Sequence, residues 1–228
     1  MTNSGRVALV LLDLDGTLAD TAPDLARAAN RMRAARDLEP LPLAELRPFV
    51  SQGARGMVGR AFNVGPTDPR YASLREEFLR EYESALCVDT VLFPDMDDTL
   101  QQFERLGIKW GIVTNKLSRF TTPLVRALQL DERAACVVSG DTTAHAKPHP
   151  APLLHALAAS RTPASEAIYV GDDRRDIDAG RAAGMRTVVA AYGYLGVEEP
   201  YQQWGADVVI ESPPQLMSLM QSGAENAG

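Results

Sequence analysis

The sequence predicts an α/β fold: a doubly wound, Rossmann-like parallel sheet with a small α-helical unit inserted near its start. Three observations predict it. An unbroken apolar run, Val7 to Leu12, ends abruptly at Asp13, as a buried central strand does when it reaches the edge of a parallel sheet. From Ile108 onward, apolar stretches at 108–113, 135–139, 167–171, 186–191 and 207–210 alternate with segments of helical character. Between Thr17 and Ile108 the chain reads as helices alone, so one domain interrupts another.

Each element has a local reason. Thr21-Ala22-Pro23-Asp24 is a helix start, with Thr21 at the N-cap and Leu25, Ala28, Ala29 and Met32 as the buried stripe. Residues 55–62 and 71–86 are expected to be helical, the second presenting Leu74, Phe78 and Tyr82 on one face. Pro94 marks the return to the sheet. A helix begins near Pro150, just after Lys147-Pro148, and Gly184 fits a C′ position.

Bulk properties narrow the function. The 228 residues can carry a core domain and a smaller second unit. A net charge of −7, with no long Lys/Arg block, argues against nucleic acid and against a membrane surface. The first apolar run is too short for a signal-peptide core or a membrane span. Cys87 and Cys136 are far apart and in no metal-type spacing, so they are expected to be buried small hydrophobes in a reducing cytoplasm.

Four segments place chemistry at the ends of strands or the starts of helices. Asp13-Leu14-Asp15-Gly16-Thr17 follows the first strand. Thr114-Asn115-Lys116 follows the strand at 108–113. Lys147 precedes a helix, and Gly171-Asp172-Asp173-Arg174-Arg175-Asp176 follows the strand at 167–171. Taken singly, each has a plain structural reading: Asp-Gly as a turn, Thr114 as a strand-end cap, Lys147 as a solvated loop residue, Asp172 and Asp173 as helix N-caps. A parallel sheet brings all four to one edge, where open α/β sheets bind ligands.

In that order these segments resemble the signature motifs of the haloacid dehalogenase-like hydrolase superfamily, over about residues 7–215. The spacing resembles the phosphoglycolate phosphatase-like branch. Ser51–Val58, Trp110–Lys116, Tyr192-Gly193-Tyr194 and Trp204–Val209 are similar to segments of bacterial N-acetylmuramic acid 6-phosphate phosphatases. The resemblance implies a core of 1–20 and 88–228 with a helical, substrate-selecting cap at 21–87. Many relatives have Gly after the hinge proline, where this chain has Asp95.

The implied activity is hydrolysis of a phosphomonoester of a small carboxylated metabolite, phosphoglycolate or N-acetylmuramic acid 6-phosphate. Phosphate monoesters resist water so strongly that their enzymes reach rate enhancements on the order of 10²¹. The dianion repels an anionic nucleophile, so charge must be neutralised first, by a divalent cation and a lysine. Asp13 is expected to attack phosphorus and form an aspartyl-phosphate. Asp15 then protonates the leaving alcohol and later activates water. Mg²⁺ suits an all-oxygen site. By resemblance its ligands are the Asp13 carboxylate, the Asp15 backbone carbonyl and Asp172, with Asp176 holding a metal-bound water or orienting Lys147. Thr114, the N–H of Asn115 and Lys147 cradle the phosphoryl group.

In the cap, Gly53 is expected to allow close backbone approach and Arg55 to grip a carboxylate. Trp110, Trp204 and His155 read as structural, and His149 as a loop or capping residue. A sugar phosphomutase uses the same core motifs and is the alternative. A receiver domain would be roughly half this length, and a non-catalytic binding protein or a dehalogenase would lack one carboxylate of Asp13-x-Asp15. The expected state is a cytoplasmic monomer or homodimer acting on a small molecule.

Overall fold

The computed structural model describes residues 6–221; the expected core ends, 1–5 and 222–228, lie outside the described residues. In chain order the first elements are β1 (Leu9–Leu12), β2 (Ala19–Asp20), α1 (Ala22–Ala34), α2 (Leu43–Leu46), α3 (Gly53–Phe62), α4 (Tyr71–Ser84) and β3 (Val91–Leu92). Then follow α5 (Met96–Arg105), β4 (Lys109–Val113), α6 (Ser118–Ala127), β5 (Val137–Val138), α7 (Ala151–Ser160) and β6 (Ala167–Gly171). The last are α8 (Arg174–Ala182), β7 (Arg186–Ala190), β8 (Val208–Ile210) and α9 (Leu216–Gln221).

Six parallel strands form the main sheet in the order β5-β4-β1-β6-β7-β8. The chain winds from β1 to β4 and β5 on one side, then crosses to β6 on the other. The strand order therefore reverses between β1 and β6, which opens a crevice beyond their carboxyl ends. All four residues of β1 are buried, which explains their unbroken apolar character.

Element positions follow the sequence expectations, with ends that shift. The strand expected at 135–139 contracts to β5, although main-chain bonds from Ala135 N to Trp110 O (2.7 Å) and from Ile112 N to Cys136 O (2.9 Å) flank it. Gly184, at φ +73, ends α8 as the C′ residue. Asp95 takes φ +63, the left-handed conformation that glycine adopts without penalty, so the departure at this position leaves the backbone path intact. Cys87 and Cys136 are free but only half-buried. Among the described residues no helix is long and apolar enough to cross a membrane.

Helices α1 to α4 lie between the antiparallel pair β2–β3, which carries the chain out of the sheet and back. The stripes Leu25, Ala28, Ala29, Met32 on α1 and Leu74, Phe78, Tyr82 on α4 are buried as their spacing requires. One apolar core runs from these helices into the sheet.

Thr21 occupies the N-cap position of α1, but its side chain does not cap; it is drawn to Asp15 instead. Asp24 is likewise not a helix-capping partner. Its buried carboxylate accepts from the N–H groups of Val88 (3.0 Å), Asp89 (3.0 Å) and Thr90 (2.9 Å) and from the Thr90 hydroxyl (2.7 Å), and it pairs with Arg27. The outgoing strand's helix is thereby pinned to the returning linker. Burial alone would raise the Asp24 pKa, but the Thr90 hydroxyl and the N–H groups of Asp89, Val88 and Thr90 outweigh it and hold the group below 3.8.

A carboxyl lowered by folding stabilises the protein above its unfolded pKa, and that contribution is lost as pH falls through the folded value. Asp24→Asn is therefore expected to cost about 2 kcal/mol at pH 7, from one buried acceptor set left unmatched. Urea unfolding should show the gap to the native protein narrowing below about pH 4.

Candidate active site

Apolar β1 delivers Asp13 to the mouth of the crevice, and β6 delivers Asp172 beside it. Asp176 comes from the first turn of α8. Carboxylate oxygens of Asp13, Asp172 and Asp176 lie within 4.8 Å of one another. Asp172 and Asp176 are 0% and 1% exposed. For Asp13 and Asp172, poor solvation and neighbouring negative charge disfavour the ionised form. Burial is the largest effect on Asp13: it outweighs the opposing Lys147 charge and, with Asp176 and Asp15, raises the pKa to about 7. Burial, then Asp13 and Asp176, push Asp172 well above its ordinary value.

Lys147 answers part of this charge. Its ammonium donates to Asp176 Oδ1 (2.7 Å), Tyr169 Oη (2.8 Å) and Val113 O (3.0 Å). These contacts use its three protons. Asp13 Oδ1 lies 2.9 Å from the same nitrogen as an ion pair, outside hydrogen-bond geometry, and keeps its accepting capacity. The Lys147 backbone is held by Asn115, whose amide donates to Lys147 O (2.9 Å) and accepts from Lys147 N (2.9 Å). Asn115 thus positions the lysine as well as presenting its own N–H. Thr114 is buried beside it, at the end of β4.

Three further groups orient Asp172. The Thr17 hydroxyl donates to Oδ1 (2.9 Å), and the Tyr194 N–H and Ser51 hydroxyl donate to Oδ2 (2.9 and 3.4 Å). Gly16, at φ +87, is required here because a Cβ would collide with the Asp172 carboxylate and Tyr194. Asp173 is the N-cap of α8, accepting from Arg175 N (2.9 Å), while its own N–H donates to Asp176 Oδ2 (3.1 Å).

The Asp15 carboxylate is held by groups outside the acidic triad. Oδ1 accepts from Thr21 Oγ1 (2.5 Å) and Lys116 Nζ (2.6 Å). Lys116 in turn lies over the Tyr82 ring of α4, 4.9 Å from its centroid. Burial would lower the Lys116 pKa, but Asp15 and Tyr82 outweigh it and keep the ammonium charged.

These groups line a cavity of about 370 Å³ between the sheet and the helical insertion. One wall is apolar, with Leu25, Val50, Phe78, Leu79 and Phe120. Gly53 lines it too, but a Cβ there would meet open space; its need for glycine is φ +62 at the start of α3. Arg55 does not line this cavity: exposed at the start of α3, it lines an adjoining groove with Arg174 and Asp178 that shares Gln52, Asp173 and Arg175 with the cavity. The arginines that line the cavity are Arg75 and Arg175. Trp110 and Trp204 are buried packing residues, His149 Nδ1 accepts from Ala151 N (3.1 Å), and His155 is exposed on α7.

Sequence reasoning missed Lys116, Tyr169, Arg175 and Tyr194. Tyr169 carried a signal, a phenol inside a wholly buried strand, since such hydroxyls find a partner. Tyr194 links the site to the insertion. Its hydroxyl accepts from Thr21 N (2.8 Å) and Ala22 N (3.0 Å) and donates to Asp20 (2.9 Å), at the start of α1. Tyr194→Phe leaves the Thr21 N–H without this acceptor and the Ala22 N–H with only its longer bond to Asp20 Oδ1 (3.3 Å), and should cost about 1–3 kcal/mol. An unchanged urea midpoint would remove the phenol from this role.

A protein-family model for haloacid dehalogenase-like hydrolases matches residues 10–190. A phosphoglycolate phosphatase of Xanthomonas campestris is 46% identical over 208 residues, covering 91% of this chain and 93% of the relative. An N-acetylmuramic acid 6-phosphate phosphatase of Pseudomonas aeruginosa is 39% identical over 215 residues, covering 94% and 95%. The crystal structure of a predicted phosphoglycolate phosphatase from Haemophilus somnus superposes with a TM-score of 0.83 at 25% identity, covering 95% and 99%. The paired aspartates after β1, the lysine before α7 and the acidic cluster after β6 agree with this match, and the chain belongs to the haloacid dehalogenase-like hydrolase family.

Proposed function

We propose that the protein is a cytoplasmic, Mg²⁺-dependent phosphatase that hydrolyses a carboxylated phosphomonoester through an aspartyl-phosphate on Asp13. The observation that carries the reading is the cluster of Asp13, Asp172 and Asp176, with one lysine paired to Asp13 and Asp176. Three crowded carboxylates with a single ammonium leave negative charge uncompensated, and an all-oxygen donor set fits a hard divalent cation. Asp13, Asp172 and the Asp15 backbone carbonyl would hold Mg²⁺, and Asp176 would hold a metal-bound water or orient Lys147, to which it is hydrogen-bonded. The ion supplies neutralisation of the phosphoryl and nucleophile charges.

The chain's own groups do the rest. Asp13 Oδ attacks phosphorus in line, and the ester oxygen leaves with a proton from Asp15. In the second step Asp15 takes a proton from water, which attacks the aspartyl-phosphate and releases phosphate. Thr114, Asn115 and Lys147 hold the phosphoryl oxygens. Lys116 and Thr21, both on Asp15 Oδ1, orient the acid–base carboxyl. Segment 21–87 serves as the cap, with Gly53 at the cavity wall.

Both relatives named above act, by their names, on phosphates whose leaving group carries a carboxylate. A 370 Å³ cavity with a long apolar wall suits the bulkier amino-sugar acid better than a two-carbon acid.

Phosphate release from a panel of phosphomonoesters, measured as kcat/KM, tests the substrate reading. N-acetylmuramic acid 6-phosphate is expected to rival or exceed phosphoglycolate; a preference for phosphoglycolate by orders of magnitude would reverse that order. Asp13→Asn should abolish turnover with the fold intact. Exhaustive chelation should do the same reversibly, and Asp172→Ala should raise the Mg²⁺ concentration for half-maximal activity at least tenfold. Full activity after chelation would exclude the metal-dependent mechanism.

A further inference from the structure

We infer that Arg75 of α4 is the residue that selects a carboxylate on the leaving group, at the end of the cavity remote from Asp13. This rests on the phosphatase reading above and extends it to a residue that the signature motifs do not contain.

Four cationic side chains line the cavity, and three are matched. Lys147 pairs with Asp13 and Asp176, Lys116 with Asp15, and Arg175 with Asp173. Arg75, exposed on α4 at the cavity's edge, is the one of the four that makes no hydrogen bond or ion pair among the described residues. A guanidinium presents five donors in a planar fork, which matches a carboxylate.

Its place on α4 gives the fork a direction. Arg75, Phe78, Leu79 and Tyr82 all line the cavity, at the i, i+3, i+4 and i+7 spacing of one helix face. Tyr82 marks the chemical end, because Lys116 bridges it to Asp15. Arg75 begins the same stripe two turns earlier, about 10 Å along the helix axis. Phosphoryl transfer at Asp13 therefore leaves the ester's organic part lying along Phe78 and Leu79, with its far end at Arg75. A neutral leaving group offers this guanidinium nothing. A net charge of −7 also disfavours an anionic substrate at long range, so a local cation has to compensate. The spacing favours an acid whose carboxylate is several bonds from phosphorus.

The test compares kcat/KM for N-acetylmuramic acid 6-phosphate, its carboxyl methylamide and p-nitrophenyl phosphate, in the native enzyme, Arg75→Ala, Arg75→Lys and Arg80→Ala. Arg80 is exposed on the same helix and outside the cavity, so it controls for the change in net charge. The native enzyme and Arg80→Ala should prefer the acid over the amide by roughly 10- to 100-fold. Arg75→Ala should erase that preference through KM, leaving kcat on the aryl phosphate within about threefold, and Arg75→Lys should restore part of it. A native preference that survives in Arg75→Ala would overturn the role of Arg75 while leaving the carboxylate reading standing. No native preference, with phosphatase activity intact, would overturn both. A sugar bisphosphate hydrolysed better than the acid, and lost in Arg75→Ala, would reassign the fork to a second phosphate.

Discussion

Crowding of buried negative charge around Lys147 is the constraint on which the rest of the structure depends. Oxygens of Asp13, Asp172 and Asp176 lie within 4.8 Å of one another, and burial with neighbouring charge raises the pKa of Asp13 and Asp172. The fold meets part of the cost with fixed donors. Thr17, Ser51 and the Tyr194 N–H act on Asp172, and Lys147, Tyr169 and the Asp173 N–H act on Asp176. Asp13 is left with an ion pair but no hydrogen bond to that lysine, so its oxygens remain available for a metal ion and for phosphorus. A nucleophile tied down as fully as Asp176 would be a poor one.

The same constraint accounts for the attachment of the helical insertion. Tyr194 joins Asp172 to the start of α1, and Arg47 stacks on the Tyr194 ring while pairing with Asp20 (2.7 Å). Arg175, braced by Asp173, donates to the carbonyl of Ser51, whose hydroxyl meets Asp172. Lys116 lies between Asp15 and Tyr82. Several links between insertion and sheet end on or beside Asp15 or Asp172, whereas Asp24 clamps the hinge itself. Substrate contacts on the insertion can therefore influence the orientation of Asp15 and Asp172 through short, buried paths.

Much of this was legible in the sequence, because the chemistry sits where hydrophobic runs end. Val7–Leu12 had to be a strand, so Asp13 had to emerge at its carboxyl end, and the same logic placed Thr114 and Asp172. Lys147 was legible only by its order among the motifs. Tyr194 and Lys116 were not legible, since their partners are 173 and 101 residues away and depend on how the insertion docks. Arg55 and Arg75 show the limit most plainly. Gly53 and Arg55 were expected at the substrate, yet α3 places Arg55 on the adjoining groove, while the face of α4 that carries Phe78 and Tyr82 places Arg75 on the cavity. Residue type suggested a carboxylate-binding arginine; which arginine lines the cavity depends on how the helices dock.

The central claim is that Asp13 carries the phosphoryl group. Asp15→Asn should slow removal of that group more than its arrival from an aryl phosphate, because a phenolate leaves without a proton and water still needs a base. Acid quenching of Asp15→Asn during turnover of an aryl phosphate with Mg²⁺, followed by peptide mass spectrometry, reads the site directly. The account predicts a stoichiometric adduct of one phosphoryl group on the peptide containing Asp13, absent when Asp13 is also changed to Asn. Phosphate on another residue, or none while the aryl phosphate is still consumed, would contradict it.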